Sequence, residues 1–190
     1  MIRILAFAGS ARKDSFNKII LKVAAQGATE AGAKVTLIDL ADFAMPLMDE
    51  DLEKKLGIPA NALKFKQLLN EHDGLLIASP EHNSAYSALL KNTIDWASRR
   101  ADGEKPMEGF KGKVAGIMAA SPGALGGLRG LVPLRMLLEN IGVMVLPNQK
   151  AVAKITALLD EENKIDDEQT QVGLKRIGKE LAETLAKLQR

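Results

Sequence analysis

Residues 2–17, Ile2-Arg3-Ile4-Leu5-Ala6-Phe7-Ala8-Gly9-Ser10-Ala11-Arg12-Lys13-Asp14-Ser15-Phe16-Asn17, decide how the rest of the chain is read. An apolar run stops at a glycine, a polar loop follows, and a helical pattern starts near Phe16. So continuous a run suits a strand buried on both faces rather than one with a wet side. The helical pattern lasts to about Ala31 and is closed by Gly32.

The same alternation recurs downstream. KVTLIDL (34–40) reads as a second strand, and 41–59, with two prolines and several acids, as a long surface connection. A helix over 60–71 leads to a third strand, LLIAS (75–79). The loop 80–84 opens a helix to about Arg100, and a charged loop (101–111) precedes a fourth strand, KVAGIMAA (113–120). A glycine-rich turn and a helix to Asn140 lead to VMVLP (143–147), and an acid-rich stretch (160–168) to a last helix reaching the C-terminus.

Strand and helix thus alternate five times, which predicts a parallel sheet with helices on both faces. Five units fit a flavodoxin-like three-layer sandwich of strand order 2-1-3-4-5 better than the six-stranded dinucleotide order. No linker or repeat interrupts the chain, so 1–190 is expected to be one domain. In such sheets ligands sit beyond the carboxyl ends of the strands where the order reverses. Here those are the first, third and fourth strands, and the three unusual loops follow them.

Composition agrees with a globular protein, 46% apolar and 26% charged. A net charge of +2 provides no global field for nucleic acid. The absence of cysteine excludes disulfides, thiolate nucleophiles and thiolate metal sites. No run approaches the roughly 18 apolar residues of a membrane helix. Met1-Ile2-Arg3 with Ala6-Phe7-Ala8 imitates a signal peptide, but the apolar stretch is too short for one. A cytoplasmic location is therefore expected.

The first loop has the parts of an anion site. Gly9 lets the chain leave the strand sharply, Ser10, Ser15 and Asn17 provide short hydrogen-bonding groups, and Arg12 a planar fork. The helix beyond adds free N–H groups and the positive end of its dipole. A phosphomonoester would be satisfied there. The P-loop signature is absent, and Ala11 and Asp14 stand where a dinucleotide fingerprint needs glycines. Asp39, at the end of the second strand, is then simplest as a cap. The plain alternative for the whole loop is that Ser15 or Asp14 merely caps a helix.

Pro80-Glu81-His82-Asn83-Ser84 presents successive backbone groups that could line the polar edge of a flat ring. Its plain reading is a turn with a helix cap at Ser84 or Ser87, with Trp96 downstream as core or subunit contact. Residues 121–130 hold four glycines, enough to let backbone approach a planar ligand closely. A flexible surface loop is the alternative.

Together these loops resemble the flavodoxin-like NADPH-dependent FMN reductases, which include quinone, azo-dye and chromate reductases. The matching pieces are G-S-x-R-x-x-S-x-N, then P-E-x-N with L-K-N-x-I-D-W, then S-P-G-x-x-G-G-x-R, in order over roughly residues 1–150. The resemblance implies that Ser10, Arg12, Ser15, Phe16 and Asn17 hold the phosphate and ribityl chain of FMN. It implies that Pro80, Glu81, His82, Asn83 and Ser84 border the isoalloxazine, and that Ser121 and Gly123 approach it from the third loop. His82 replaces a frequent tyrosine, and Tyr86-Ser87 a common proline-glycine step, departures that bear on substrate preference.

The cofactor would carry the chemistry: NADPH or NADH gives hydride, and a quinone, free flavin, azo compound or similar acceptor removes the electrons. No catalytic acid, base or metal ligand is expected, and His72, late in a helix, reads as a surface residue. The alternative is a flavodoxin-type electron carrier without its own NAD(P)H activity. Such carriers tend to be acidic and to sandwich FMN between aromatic rings, whereas this chain is slightly basic with one Trp and one Tyr. A phospho-receiver would need an aspartate where Ser79-Pro80 stands. The resemblance further implies a homodimer or homotetramer. By the same analogy the helix bearing Ile94, Trp96 and Arg99 is a candidate contact; the plain alternative is that its apolar face simply packs on the sheet.

Overall fold

The computed structural model describes residues 1–189. Arg190, the expected end of the last helix, lies outside the described residues. The chain runs β1 (Arg3–Ala8), α1 (Phe16–Glu30), β2 (Lys34–Asp39), a 3-10 turn (Leu40–Phe43), α2 (Glu50–Leu56), α3 (Ala60–Asn70) and β3 (Gly74–Ala78). It continues through β4 (Glu81–His82), β5 (Ala85–Tyr86), α4 (Ala88–Ser98), β6 (Val114–Ala120), α5 (Leu128–Asn140), β7 (Met144–Val145) and β8 (Lys150–Val152). A second 3-10 turn (Ile155–Leu158) and α6 (Glu168–Leu188) complete it.

The main sheet is parallel in the order β2-β1-β3-β6-β7, with β8 also paired to β6, so the expected flavodoxin-like topology is present. Ala8 lies beside Asp39 on one side and Ala78 on the other, and Ala78 beside Met118. This register brings the carboxyl ends of the strands to one edge. Every residue of β3 and β6 is buried, as continuous apolar runs require in a sheet covered on both faces. Alternate side chains divide between two cores. Ile4 and Ala6 pack with Ile20, Ala24, Leu174 and Leu181 of α1 and α6. Leu5 and Phe7 pack with Phe65, Leu90, Ile94 and Leu131 of α3, α4 and α5.

Three features differ from the sequence reading. The connection 41–59 contains α2, capped by Asp49 with Glu50, Asp51 and Glu53 in its first turn and Lys54 and Lys55 in its last. None of its residues is buried, so it has no apolar stripe to betray it, and its acids are helix-start signals. The fifth strand is two pieces. Pro147 has no N–H to donate, the chain leaves the sheet after Leu146, and Arg135 of α5 donates to the carbonyls of Val145 and Leu146 at the break.

His72 is buried, 4% exposed, with Nδ1 2.6 Å from the Leu68 carbonyl and Nε2 2.7 Å from the Thr36 hydroxyl of the edge strand. Ile94 and Trp96 are buried within the chain, the packing on the sheet that the sequence offered for that face, and the half-buried Arg99 pairs with Glu53. Asn92 and the Trp96 indole N–H both donate to the Pro46 carbonyl, and Asn92 accepts from the Met48 N–H. The L-K-N-x-I-D-W motif therefore anchors the long connection.

Candidate functional site

The loops after β1, β3 and β6 meet at the carboxyl edge of the sheet and are tied to one another. The Gly9 N–H donates to the Ala78 carbonyl at 2.8 Å, and the Gly9 carbonyl accepts from the Ser87 hydroxyl at 2.6 Å. A Cβ on Gly9 would lie 2.9 Å from Ser87 Oγ and 3.0 Å from Leu90 Cβ, so glycine permits this approach of the first loop to α4. Ser87 also caps α4 by accepting from the Leu90 N–H. It is the cap the sequence offered as one of two choices, and it doubles as the joint between two loops.

Asn17 makes the second tie. Its amide donates to the Ala120 carbonyl at 3.2 Å and accepts from the Ala120 N–H at 3.1 Å. The side chain is buried, and this two-sided grip joins the start of α1 to the end of β6. Glu81 makes the third. One carboxylate oxygen accepts from Arg129 at 3.0 Å and the other from the Gly130 N–H at 3.2 Å, joining β4 to the start of α5. Both residues brace the site with groups the sequence reading assigned to ligand. Their fork-like side chains could have suggested this, but partners 103 and 49 positions away leave no local signal.

Other candidates keep a free face. Arg12 is exposed, its guanidinium 5.1 Å over the Phe16 ring, a cation–π arrangement that holds the fork above the half-buried ring. The half-buried Ser10 accepts from the Arg12 N–H at 3.3 Å, shaping the turn. Ser15 stands at the N-cap of α1, 3% exposed, yet its hydroxyl makes no cap hydrogen bond, and the first turn holds no acidic residue. The start of α1 therefore lacks the internal anion or cap that helix starts favour.

The loop after β3 is a two-residue hairpin between β4 and β5. Asn83 and Ser84 both take positive φ, 51° and 67°, matching the left-handed pair of a type I′ turn. His82, Asn83 and Ser84 are exposed and Pro80 half-buried. After β6, Ser121 is half-buried and Gly123 exposed. The glycine richness of this loop has a structural origin. Gly126 and Gly127 are left-handed, and a Cβ on Gly126 would lie 2.5 Å from the Ala153 nitrogen. Close packing of the loop against β8 thus claims glycines that the sequence reading reserved for a ligand.

A cleft of about 640 Å³ lies beside the first loop, lined by Lys13, Lys18, Leu37, Asp39 and Phe43 among others. Lys18 and Asp39 pair across it at 2.5 Å, and Asp39 caps the following turn at Ala41, as expected. Burial raises the Asp39 pKa, but the Lys18 and Ala41 hydrogen bonds outweigh it and hold the carboxyl below its ordinary value. Spent in this way, Asp39 is not free to hold a ribose. Among the described residues no cluster of metal-ligating side chains occurs, and no helix is long and apolar enough to cross a membrane.

Three interlocked loops at the switch point, with an uncapped helix start and an exposed guanidinium among them, belong to a flavodoxin-like α/β protein. The chain belongs to the NADPH-dependent FMN reductase family, whose model matches residues 2–157. It is 37% identical over 142 residues to an NAD(P)H-dependent FMN reductase of Pseudomonas aeruginosa, covering 75% of this chain and 72% of that one. It is 29% identical over 171 residues to a quinone reductase of Escherichia coli, covering 90% and 85%. Its fold superposes on FerB, a flavoenzyme NAD(P)H:(acceptor) oxidoreductase from Paracoccus denitrificans, with a TM-score of 0.81, 25% identity and 98% of each chain covered.

Proposed function

We propose that this chain is an FMN-dependent NAD(P)H oxidoreductase that passes electrons from NADPH or NADH to a quinone, free flavin, azo compound or similar small acceptor. The observation that carries the reading is the start of α1, where Ser15 makes no cap and Arg12 stands exposed on its Phe16 support. These are unspent donors at a positive helix end, a set that suits a phosphomonoester. Arg12, Ser10, Ser15 and the first-turn N–H groups would hold the phosphate of FMN. Pro80, His82, Asn83, Ser84, Ser121 and Gly123 would border its ring, while Asn17 and Glu81 fix the loops that carry them.

When bound, FMN supplies hydride acceptance and electron release. The protein's share is binding, orientation and donors that favour the reduced ring, so no side-chain acid, base or metal is assigned. The proposal includes action in the cytoplasm, as one domain, in a homodimer or homotetramer. Purified protein should take up FMN, bleach with NADPH under anaerobic conditions and regain colour with a quinone. A protein that remains colourless after FMN is offered sinks the reading. One that binds FMN but oxidises NADPH only with a partner reductase is a carrier instead.

A further inference from the structure

Two clefts flank α1, and they differ in whether their charges are already used. The one between α1 and α6, about 790 Å³, is lined by Lys175, Arg176 and Lys179. Each is paired, with Glu30 at 2.8 Å, Glu180 at 2.6 Å and Glu183 at 3.8 Å. The cleft of about 640 Å³ beside the first loop is lined by Lys13, Lys18 and Lys22. Lys18 is taken by Asp39. Lys13 and Lys22 are exposed and form no ion pair or side-chain hydrogen bond among the described residues. The same is true of two carboxylates in its lining, Asp14 and Asp42.

Part of the wall is apolar. Leu37 of the edge strand β2 is 46% exposed, and the half-buried Phe43 is fixed edge-on against Phe65, their centroids 5.9 Å apart. Unspent cations, unspent carboxylates and an apolar wall with a ring in it suit a ligand with three parts. These are a phosphate, hydroxyl or amino donors, and a flat base. A nucleoside monophosphate has all three, and the volume falls in the range of about 300–1,000 Å³ usual for such sites. The position of the cleft says which one. Lys13 and Ser15 line it, so it opens at the end of the first loop proposed to hold the FMN phosphate. None of its lining residues belongs to the loops after β3 and β6. A reductant or an acceptor must meet the ring those loops would border. A ligand that continues past the phosphate meets the cleft instead.

We propose that this cleft receives the adenosine monophosphate half of FAD, so that the chain holds FAD as well as FMN with the flavin half in one place. FAD is FMN extended at its phosphate by adenosine monophosphate. Lys13 and Lys22 attract the added phosphate, Asp42 accepts from ribose hydroxyls or the adenine amino group, and Leu37 and Phe43 flank the base. This rests on the reading that the first loop holds FMN, and adds a second nucleotide subsite to it. Lys22 lies two turns into α1, about 10 Å along the axis from Ser15. That is beyond the screening length of about 8 Å at physiological salt, so its charge bears on the added half more than on FMN.

Calorimetric titration of the flavin-free protein with FMN and with FAD, at physiological salt, tests it. The wild type should bind FAD more tightly than FMN. Leu37→Glu and Lys22→Glu should each weaken FAD about 10-fold while FMN affinity stays within about twofold. Both residues are exposed, and FMN binding serves as the control for folding. The NADPH KM measured with FMN bound should be the same in both variants as in the wild type. A protein that takes up neither flavin overturns the FMN reading and the cleft with it. Three outcomes overturn the cleft alone: FAD binds no more tightly than FMN; FAD affinity falls no further than FMN affinity in either variant; or the NADPH KM rises while FAD affinity holds, which gives the cleft to the reductant.

Discussion

Ser15 and Ser87 stand at the N-caps of α1 and α4, on the same end of the sheet and both buried. Ser87 uses its hydroxyl twice, accepting from Leu90 and donating to the Gly9 carbonyl. Ser15 caps nothing. The residue type and helix position are the same, and the surroundings differ. The start of α4 is pressed against the first loop, so Ser87 must satisfy a buried carbonyl. The start of α1 opens toward the edge where three loops meet, and Arg12 leans over it. A capping residue that does not cap leaves this helix start with unspent donors, which the proposed FMN site would use.

The comparison can be broken most forcefully at Ser87. Ser87→Ala removes a cap and orphans the Gly9 carbonyl, so urea unfolding should show a loss of about 2–4 kcal/mol. Arg12→Ala should do the opposite. Stability should stay within about 0.5 kcal/mol, while FMN titration followed by flavin fluorescence shows affinity weakened by about 10- to 100-fold. Equal losses of stability in the two variants would erase the distinction.

Ser15→Ala sharpens it further. An ordinary N-cap serine costs about 1 kcal/mol on truncation. This one should cost under about 0.5 kcal/mol in urea, with FMN affinity reduced about 2- to 10-fold.

The smallest effect concerns Asp39 beside the same loop. Its pKa is held below the ordinary 3.8, so the unfolded chain binds the proton more tightly and stability rises with pH across that window. The stabilisation is complete above 3.8 and is lost as pH falls through the lowered value. The urea midpoints of wild type and Asp39→Asn should therefore differ modestly at pH 6 and converge in acid, the pair being partly exposed.

Much of the fold is legible because strands buried on both faces write themselves as apolar runs. Residues 2–8, 75–79 and 113–120 each match an observed strand to within a residue or so. Elements without burial escape that signal, as α2 does. His72 escapes it for the opposite reason, since an edge strand folded over it supplies Thr36 from 36 positions away.

Local order alone thus determined the alternation of strands and helices, the place where their order reverses, and a polar loop there that matches a known family. Those follow from short-range periodicity and from residue types suited to one backbone position. Tertiary structure decided which side chains remain free for a ligand. Asn17 and Glu81 are taken by Ala120 and the start of α5, and Gly126 and Gly127 by packing, while Arg12 stays exposed and Ser15 uncommitted as a cap. Hydrogen bonds and close contacts saturate. Only the folded chain shows whether a given donor has already been used by a partner distant in sequence.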